Sequence, residues 1–182
     1  IKAKYQYLLL TPTNMETTDY KLYSYKMKHD NRFAPNPLFG VLTLATCKPE
    51  IYVPTILKYF DIEQYFDIAV GSELEGGARR HKDDVINEVF NQIIKLNKAD
   101  NVDITNASDT TNVSDTADIL NDIKADSIMI GDRKDDILGA KNCGIESIGV
   151  RYGFAEENEL ENAGADYIVE NVQDIITTLD EM

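Results

Sequence analysis

Short apolar runs alternate with longer amphipathic segments along most of this 182-residue chain. Six runs are rich in branched and aromatic side chains and end at polar or glycine residues, which is typical of buried strands. These runs occupy residues 5–10, 41–45, 65–70, 127–130, 148–150 and 167–169. Between them, the apolar spacing predicts helices at residues 49–59, 82–96, 135–142, 156–163 and 172–179. The pattern therefore predicts an α/β fold.

Strands that alternate with helices on short connections form a parallel sheet with both faces covered. In such sheets a ligand lies beyond the carboxyl ends of the strands. Thr46, Ser72 and Asp132 each follow directly after a predicted strand. We therefore expect these three residues to converge on one crevice.

Two segments interrupt this alternation. Residues 97–126 are rich in Asn, Asp and Thr, so we expect a polar surface insertion with a short helix at residues 117–123. The spacing of its Asp residues does not match a calcium-binding loop. Residues 11–37 are polar, contain three prolines and show no helical stripe.

The charge of the chain excludes one class of partner. The formal net charge is −14 and the sequence pI is about 4.4, whereas nucleic-acid-binding surfaces need clustered Lys and Arg. Cys47 and Cys143 are far apart and are expected to be reduced thiols. No apolar stretch is long enough for a membrane span, and the first residues do not resemble a signal peptide. These features predict a cytoplasmic protein without nucleic-acid or membrane partners.

Carboxylates cluster where the fourth predicted strand ends. Asp132 and Asp136 are four residues apart, so they share one face at the start of a helix. Their hard oxygen atoms suit Mg²⁺, which binds one or two protein carboxylates together with water and phosphate oxygens. The alternative is structural, because Asp132 could cap the helix and Asp136 could stabilise its first turn.

A second group of candidates could bind phosphate. Thr46 and Cys47 lie at a strand-to-helix turn, where a hydroxyl and successive backbone N–H groups can hold an anion. Lys82 opens a long helix and could neutralise a phosphate and a nearby carboxylate. The alternatives are an N-cap role for Thr46 and a solvated surface lysine. His81 has no second histidine at ligand spacing, so no zinc site is expected.

Several segments together resemble the haloacid dehalogenase (HAD) superfamily, in its phosphoglycolate-phosphatase-like branch. The resemblance covers residues 38–96 and 127–182 and depends on five main segments, LATCKPE (44–50), HKDDVI (81–86), MIGDRKDDILGAK (129–141), GIESIGVRYG (144–153) and ADYIV (165–169). It implies a Rossmann-like three-layer sandwich around a parallel sheet, with a HAD-like core formed by residues 1–10 and 38–182.

The resemblance also implies an activity and a role for each candidate. A Mg²⁺-dependent phosphatase is expected, acting on a small phosphorylated substrate such as phosphoglycolate, a nucleotide or a sugar phosphate. Thr46, with Cys47 beside it, would bind the phosphoryl group, and Lys82 would steady it. Asp132 would hold Mg²⁺, with Asp136 in support. In that family an aspartate after the first strand forms an aspartyl-phosphate intermediate.

The nucleophile motif of the family is absent from this sequence. An Asp-x-Asp pair is expected directly after Leu10, but the chain continues Thr11-Pro12-Thr13-Asn14. Residues 11–37 are also too few for both the helical cap domain and a crossover helix, so they are interpreted as a remnant of a truncated cap. Either the active protein carries segments that this sequence lacks, which the intact remaining motifs favour, or the chain is a relative that binds without catalysis.

Three functions follow from these observations. The first is a phosphomonoester hydrolase, and the second is a catalytically inactive module that binds phosphate or Mg²⁺ on the same fold. The third is a nucleotide-dependent oxidoreductase, which lacks support because no Gly-x-Gly-x-x-Gly motif follows the first strand.

Overall fold

The computed structural model describes residues 7–10, 41–100 and 113–182, and these residues form one six-stranded sheet. Its strands are β1 (Tyr7–Leu10), β2 (Val41–Pro49), β3 (Ile68–Ser72), β4 (Ser127–Gly131), β5 (Glu146–Val150) and β6 (Tyr167–Val169). All neighbouring strands are parallel, in the order β3-β2-β1-β4-β5-β6. This order places β1 between β2 and β4. The chain adds β2 and β3 on one side of β1 and then β4, β5 and β6 on the other side.

The described helices follow the strands as the sequence predicts. They are α1 (Val53–Tyr59), α2 (Lys82–Asp100), α3 (Val113–Ala125), α4 (Lys134–Cys143), α5 (Glu159–Ala163) and α6 (Val172–Glu181). Two short 3₁₀ helices, Glu50–Tyr52 and Glu63–Tyr65, flank α1. Gly144 ends α4 in the left-handed conformation, with φ of 73°, as expected for a glycine at a helix C-terminus.

Apolar residues on alternate strand positions bury both faces of the sheet. Leu42 and Leu44 of β2 pack in one cluster with residues of α1 and α6. Val41 and Ala45 of the same strand point to the other cluster, which the apolar stripe of α2 fills from Val85 onwards. This two-sided burial confirms the predicted three-layer α/β fold.

The described parts of residues 97–126, which are 97–100 and 113–126, are helical over most of their length, whereas the sequence predicts a polar insertion with a short helix. Asn97 continues α2, which extends to Asp100, and α3 is a 13-residue helix rather than a short one. Ile123 of α3 is buried against the α2 side of the core, and Ile119 and Leu120 pack around it. The second half of this segment is therefore a part of the helical layer, because these three apolar residues share one face of α3.

Smaller differences concern element ends. The third strand begins at Ile68 rather than at residue 65, and α5 is confined to Glu159–Ala163. Residues 101–112 and the proposed cap remnant at 11–37 lie outside the described residues. None of the helices that the structure describes is both long and apolar enough to cross a membrane.

Candidate functional site

Lys82 and Asp136 form a buried ion pair at the carboxyl edge of the sheet. Lys82 is the first residue of α2, and its Nζ lies 2.7 Å from Oδ1 of Asp136. The same Nζ donates a hydrogen bond of 2.8 Å to the carbonyl oxygen of Ala45 in β2. Only 4% of the Lys82 side chain and 3% of the Asp136 side chain are exposed. The lysine is therefore no solvated surface residue.

Asp136 also organises the loop between β4 and α4. Its Oδ2 accepts hydrogen bonds of 3.2 Å from the backbone N–H groups of Asp132 and Arg133. Both oxygen atoms of this carboxylate thus have protein partners, one in the loop and one in Lys82. The carboxylate couples the position of the lysine to the backbone that carries Asp132.

Asp132 is buried directly beyond β4, with 2% of its surface exposed. Burial raises the pKa of its carboxyl group, and the negative charge of the nearby Asp136 raises this pKa further. The hydrogen bond from the Phe154 N–H lowers the pKa and so opposes both effects. That hydrogen bond joins Phe154 N to Oδ2 of Asp132 over 2.8 Å. A cation beside Asp132 would favour the ionised form, which burial alone disfavours.

Thr46 and Cys47 lie where the pairing of β2 with β3 changes register, between Ala45 and Pro49. Thr46 is buried, and its Oγ1 accepts a hydrogen bond of 3.2 Å from the N–H of Lys48. Ser72 at the end of β3 donates its Oγ proton to the carbonyl oxygen of Cys47 over 2.8 Å. Ser72 therefore supports the turn instead of lining the crevice, which differs from the expected convergence of all three strand-end residues.

The predicted site residues line one cavity of about 370 Å³. Thr46, Cys47, Lys82, Asp132 and Asp136 contribute to its surface, and its remaining lining residues are Lys48, Arg133, Asp135 and Phe154. The structure thus brings together residues that are widely separated in the chain. Their individual roles stay predictions.

A second cavity of about 380 Å³ adjoins the first. The two share Cys47, Lys82 and Asp135, and the second is also lined by Arg80 and His81. Both of these residues are exposed, and their backbone N–H groups donate to Oδ2 of Asp84, which fixes this turn at the start of α2. The turn gives Lys82 its defined direction into the site.

Charges within the first cavity balance, although the chain as a whole is strongly acidic. Among the described residues, three cations and three carboxylates line it, namely Lys48, Lys82 and Arg133 against Asp132, Asp135 and Asp136. A bound phosphate monoester would add close to two negative charges to these residues. One divalent cation would neutralise that excess. Among the residues that the structure describes, no group of three or more His, Cys, Asp or Glu side chains could hold a metal ion. A cation here would thus need phosphate or water oxygens beside Asp132.

Phe154 and Glu159 were not recognised as candidates from the sequence. Phe154 follows β5 closely and lines the cavity, and Glu159 accepts hydrogen bonds from the Lys134 N–H and from Nε of Arg133, over 2.7 and 2.9 Å. The only signal in the sequence is a glycine and an aromatic residue shortly after a strand. That signal does not reveal what the aromatic ring faces.

Comparison with known proteins agrees with this geometry. Residues 105–175 match the family model described as HAD-hydrolase-like, a range that includes β4, Asp132 and Asp136. Residues 19–58 match a second model, nucleotide modification associated domain 2. That second match ends inside α1, so it does not delimit a separate unit among the described residues.

Curated relatives are longer than this chain. A 5'-nucleotidase of Pseudomonas aeruginosa is 31% identical over 120 residues, which cover 65% of this chain and 41% of the relative. A phosphoglycolate phosphatase of Vibrio cholerae is 25% identical over 133 residues, which cover 72% of this chain and 46% of the relative. The chain thus spans less than half the length of these two proteins.

A solved structure matches over nearly the whole chain. The crystal structure of a predicted phosphatase from Clostridium acetobutylicum has a TM-score of 0.64 and 24% identity, and the match covers 98% of this chain and 99% of that one. The fold, the family model and the relatives agree on an α/β domain of the kind found in these phosphatases. The chain resembles the haloacid dehalogenase-like superfamily in sequence and in fold.

Proposed function

We propose that this chain is the core of a Mg²⁺-dependent phosphatase that hydrolyses small phosphomonoesters. The observation that carries the proposal is the buried Lys82–Asp136 pair, which holds an ammonium group beside Thr46 and Asp132 at the edge of a parallel sheet. A buried charge pair is costly to desolvate, and a preorganised cation in a crevice is the kind of group that stabilises a transferring phosphoryl group. The phosphatase relatives support a phosphoryl group as that anion.

Each predicted residue has a role that its contacts support. Thr46 and the backbone of Cys47 bind the phosphoryl oxygens at the irregular end of β2. Lys82 compensates the charge of the phosphoryl group, and Asp136 keeps Lys82 and the β4–α4 loop in place. Asp132 provides the carboxylate for Mg²⁺. When bound, Mg²⁺ supplies charge neutralisation for phosphoryl transfer.

The covalent step has no assigned residue in this chain. The HAD resemblance implies an aspartyl-phosphate formed by an aspartate after β1, but Leu10 is followed by Thr11, Pro12 and Thr13. This absence favours a second candidate function, a catalytically inactive domain that binds phosphate and Mg²⁺. Both functions use the same Thr46, Lys82 and Asp132 site.

The relatives suggest several classes of substrate and not a single one. The names of the two curated relatives suggest nucleotides and phosphoglycolate, and sugar phosphates have the same phosphoryl group. The balanced charge of the cavity suits a small dianionic ester with a divalent cation. We therefore propose a small phosphorylated metabolite as the partner of this site.

Two measurements on the full chain separate the candidates. Phosphate release from a panel of phosphomonoesters with Mg²⁺ tests catalysis, and calorimetric titration with inorganic phosphate tests binding. A phosphatase releases phosphate, and EDTA and Asp132→Asn both abolish the release. Phosphate binding without release supports the inactive domain. Absence of both would overturn the proposal that this crevice is a phosphate site.

A further inference from the structure

An aromatic ring forms one wall of the candidate phosphate site. Phe154 is 65% exposed, and among the large exposed apolar residues that the structure describes it is the one that lines this cavity. Single exposed apolar side chains are common on protein surfaces, but this one lines a polar crevice, where an apolar part of a bound ligand would cover it.

The backbone on both sides of Phe154 is fixed. Its own N–H donates to Oδ2 of Asp132, and Gly153 packs so closely on Asp132 that an added Cβ would lie 2.2 Å from the Asp132 Cβ. On the other side, Ala155 packs against the small apolar cluster that includes Ile137 and Leu160. The backbone that carries the ring is therefore held beside the cavity that Phe154 lines.

Glu159 provides a second anchor for the same segment. Its Oε2 accepts a hydrogen bond of 3.0 Å from the N–H of Glu156, while its Oε1 accepts from Lys134 N–H and from Arg133. The carboxylate thus ties the turn after Phe154 to the start of α4. The backbone of Phe154 is thus fixed relative to the Asp132 loop before any ligand binds, which lowers the entropic cost of binding.

The other lining residues have different chemistry. Thr46, Cys47 and Lys48 come from the end of β2, Lys82 from the start of α2 and Asp132 from the end of β4. With the phosphoryl group bound among Thr46, Lys82 and Asp132, the remainder of a ligand can extend towards Phe154. A flat aromatic group suits this residue, because aromatic rings stack favourably on one another.

We propose that Phe154 is a specificity-determining residue that stacks on a planar aromatic ring carried by the leaving group, as on the base of a nucleoside 5'-monophosphate. This inference rests on the proposed phosphate site and adds the class of group attached to the phosphate. Phosphoglycolate, whose leaving group is a small carboxylate, gains nothing from the phenyl ring. The ring takes no part in bond breaking.

Calorimetric titration of the full chain with three ligands tests the proposal. AMP, ribose 5-phosphate and inorganic phosphate are compared in the presence of Mg²⁺. The wild-type protein should bind AMP about tenfold more tightly than ribose 5-phosphate, since stacking of a base on an aromatic side chain commonly gives this gain or more. Phe154→Ala should remove most of this preference and leave the affinity for inorganic phosphate unchanged, and Phe154→Leu should restore little of it.

Phe60→Ala is the matched control, because Phe60 is 57% exposed and does not line the cavity. It should keep the preference for AMP. Equal affinity of the wild type for AMP and ribose 5-phosphate, or an unchanged preference in Phe154→Ala, would overturn the inference while phosphate binding still supports the proposed function. If inorganic phosphate does not bind the wild type at all, the proposed function fails and the role of Phe154 fails with it.

Discussion

The ammonium group of Lys82 lies between a carboxylate oxygen of Asp136 and the carbonyl oxygen of Ala45, at 2.7 and 2.8 Å. This contact joins the start of α2, the middle of β2 and the first turn of α4. One side chain thus connects three elements that surround the candidate site. The pair therefore affects both the stability of the fold and the affinity for an anion.

Lys82→Met should destabilise the protein by about 3 kcal/mol. The substitution leaves the buried Asp136 carboxylate without its ammonium partner, and uncompensated buried charges commonly cost about 3–5 kcal/mol. We place the effect at the lower end because Asp136 keeps its hydrogen bonds to the loop. Urea denaturation measures it. Lys95→Met, at an exposed position of the same helix, is the control and should change stability by no more than about 0.5 kcal/mol.

Lys82→Ala should lower the turnover of an active form by roughly 10²-fold or more. The fixed ammonium group stabilises charge on the transferring phosphoryl group, and the loss of such a preorganised charge has an effect of about this size. Steady-state phosphate release with Mg²⁺ measures the change. Turnover of Lys82→Ala within about twofold of the wild type would show that Lys82 does not stabilise the phosphoryl group.

Gly153→Ala should disturb ligand binding as well as stability. Its Cβ would lie 2.2 Å from the Cβ of Asp132 and 2.4 Å from Oδ2, so Asp132 or the segment before Phe154 must move. We expect a loss of about 1–3 kcal/mol in the free energy of unfolding, as in other overpacked sites, and weaker binding of inorganic phosphate with Mg²⁺.

Gly144→Ala is the control that separates the steric clash at Gly153 from the backbone strain of replacing any glycine. Gly144 has φ of +73°, and nothing lies within 4 Å of an added Cβ, so alanine there costs only backbone strain. This variant should lose stability but bind phosphate normally. If both variants bind phosphate as the wild type does, Gly153 has no part in positioning Asp132.

Glu159 should make stability depend on pH in the acid range. Burial alone would raise the pKa of Glu159, but hydrogen bonds from the N–H groups of Lys134 and Glu156 and from Arg133 lower it to about 2, from an ordinary value of 4.5. Its ionised form therefore stabilises the fold fully above pH 4.5, and this contribution is lost as the pH falls through about 2.

Glu159→Gln tests this dependence. At neutral pH the variant should be less stable than the wild type, and the difference should shrink steadily as the pH is lowered from 5 to 2. Urea denaturation at several pH values measures both proteins, with the exposed Glu157→Gln as control. A difference that stays constant over this range would show that the contacts of Glu159 do not depend on its charge.

The two thiols should differ in reactivity. Cys47 as a residue is exposed in the candidate site. Its thiol is partly removed from water, which raises the pKa of the thiol, and the charge of Lys82 partly offsets this increase. Cys143 is buried, and burial raises its pKa to about 11. Iodoacetamide at pH 8.5 should therefore alkylate Cys47 first, and inorganic phosphate should slow the reaction. Mass spectrometry identifies the modified residue, and equal labelling of both cysteines would contradict the described burial.

Sequence periodicity was sufficient to predict the strand and helix order, because each buried run ends at a residue that favours a turn. The convergence of Thr46 and Asp132 also followed, since parallel strands present their carboxyl ends at one edge, whereas Ser72, which the same argument placed in the crevice, does not line it. The length of α3 did not follow, because polar residues dominate its exposed side and only three apolar residues indicate the core face.

Contacts over long separations could not be predicted. The position of Phe154 depends on its hydrogen bond to Asp132, 22 residues earlier, and the sequence between them contains no spacing that encodes this bond. Likewise, the paired acids predicted a site but not that Asp136 contacts Lys82. Such pairings result from packing of the whole sheet and not from local propensity.

The central place of β1 has a consequence for synthesis on the ribosome. Tyr7 pairs with Ser127, 120 residues further along the chain, whereas its other neighbour is Val41. At about 5–20 residues per second, one edge of β1 waits roughly 6 to 24 s for its partner. An open strand edge can pair with other chains during this interval, so the yield of native protein should be sensitive to translation speed and to chaperones.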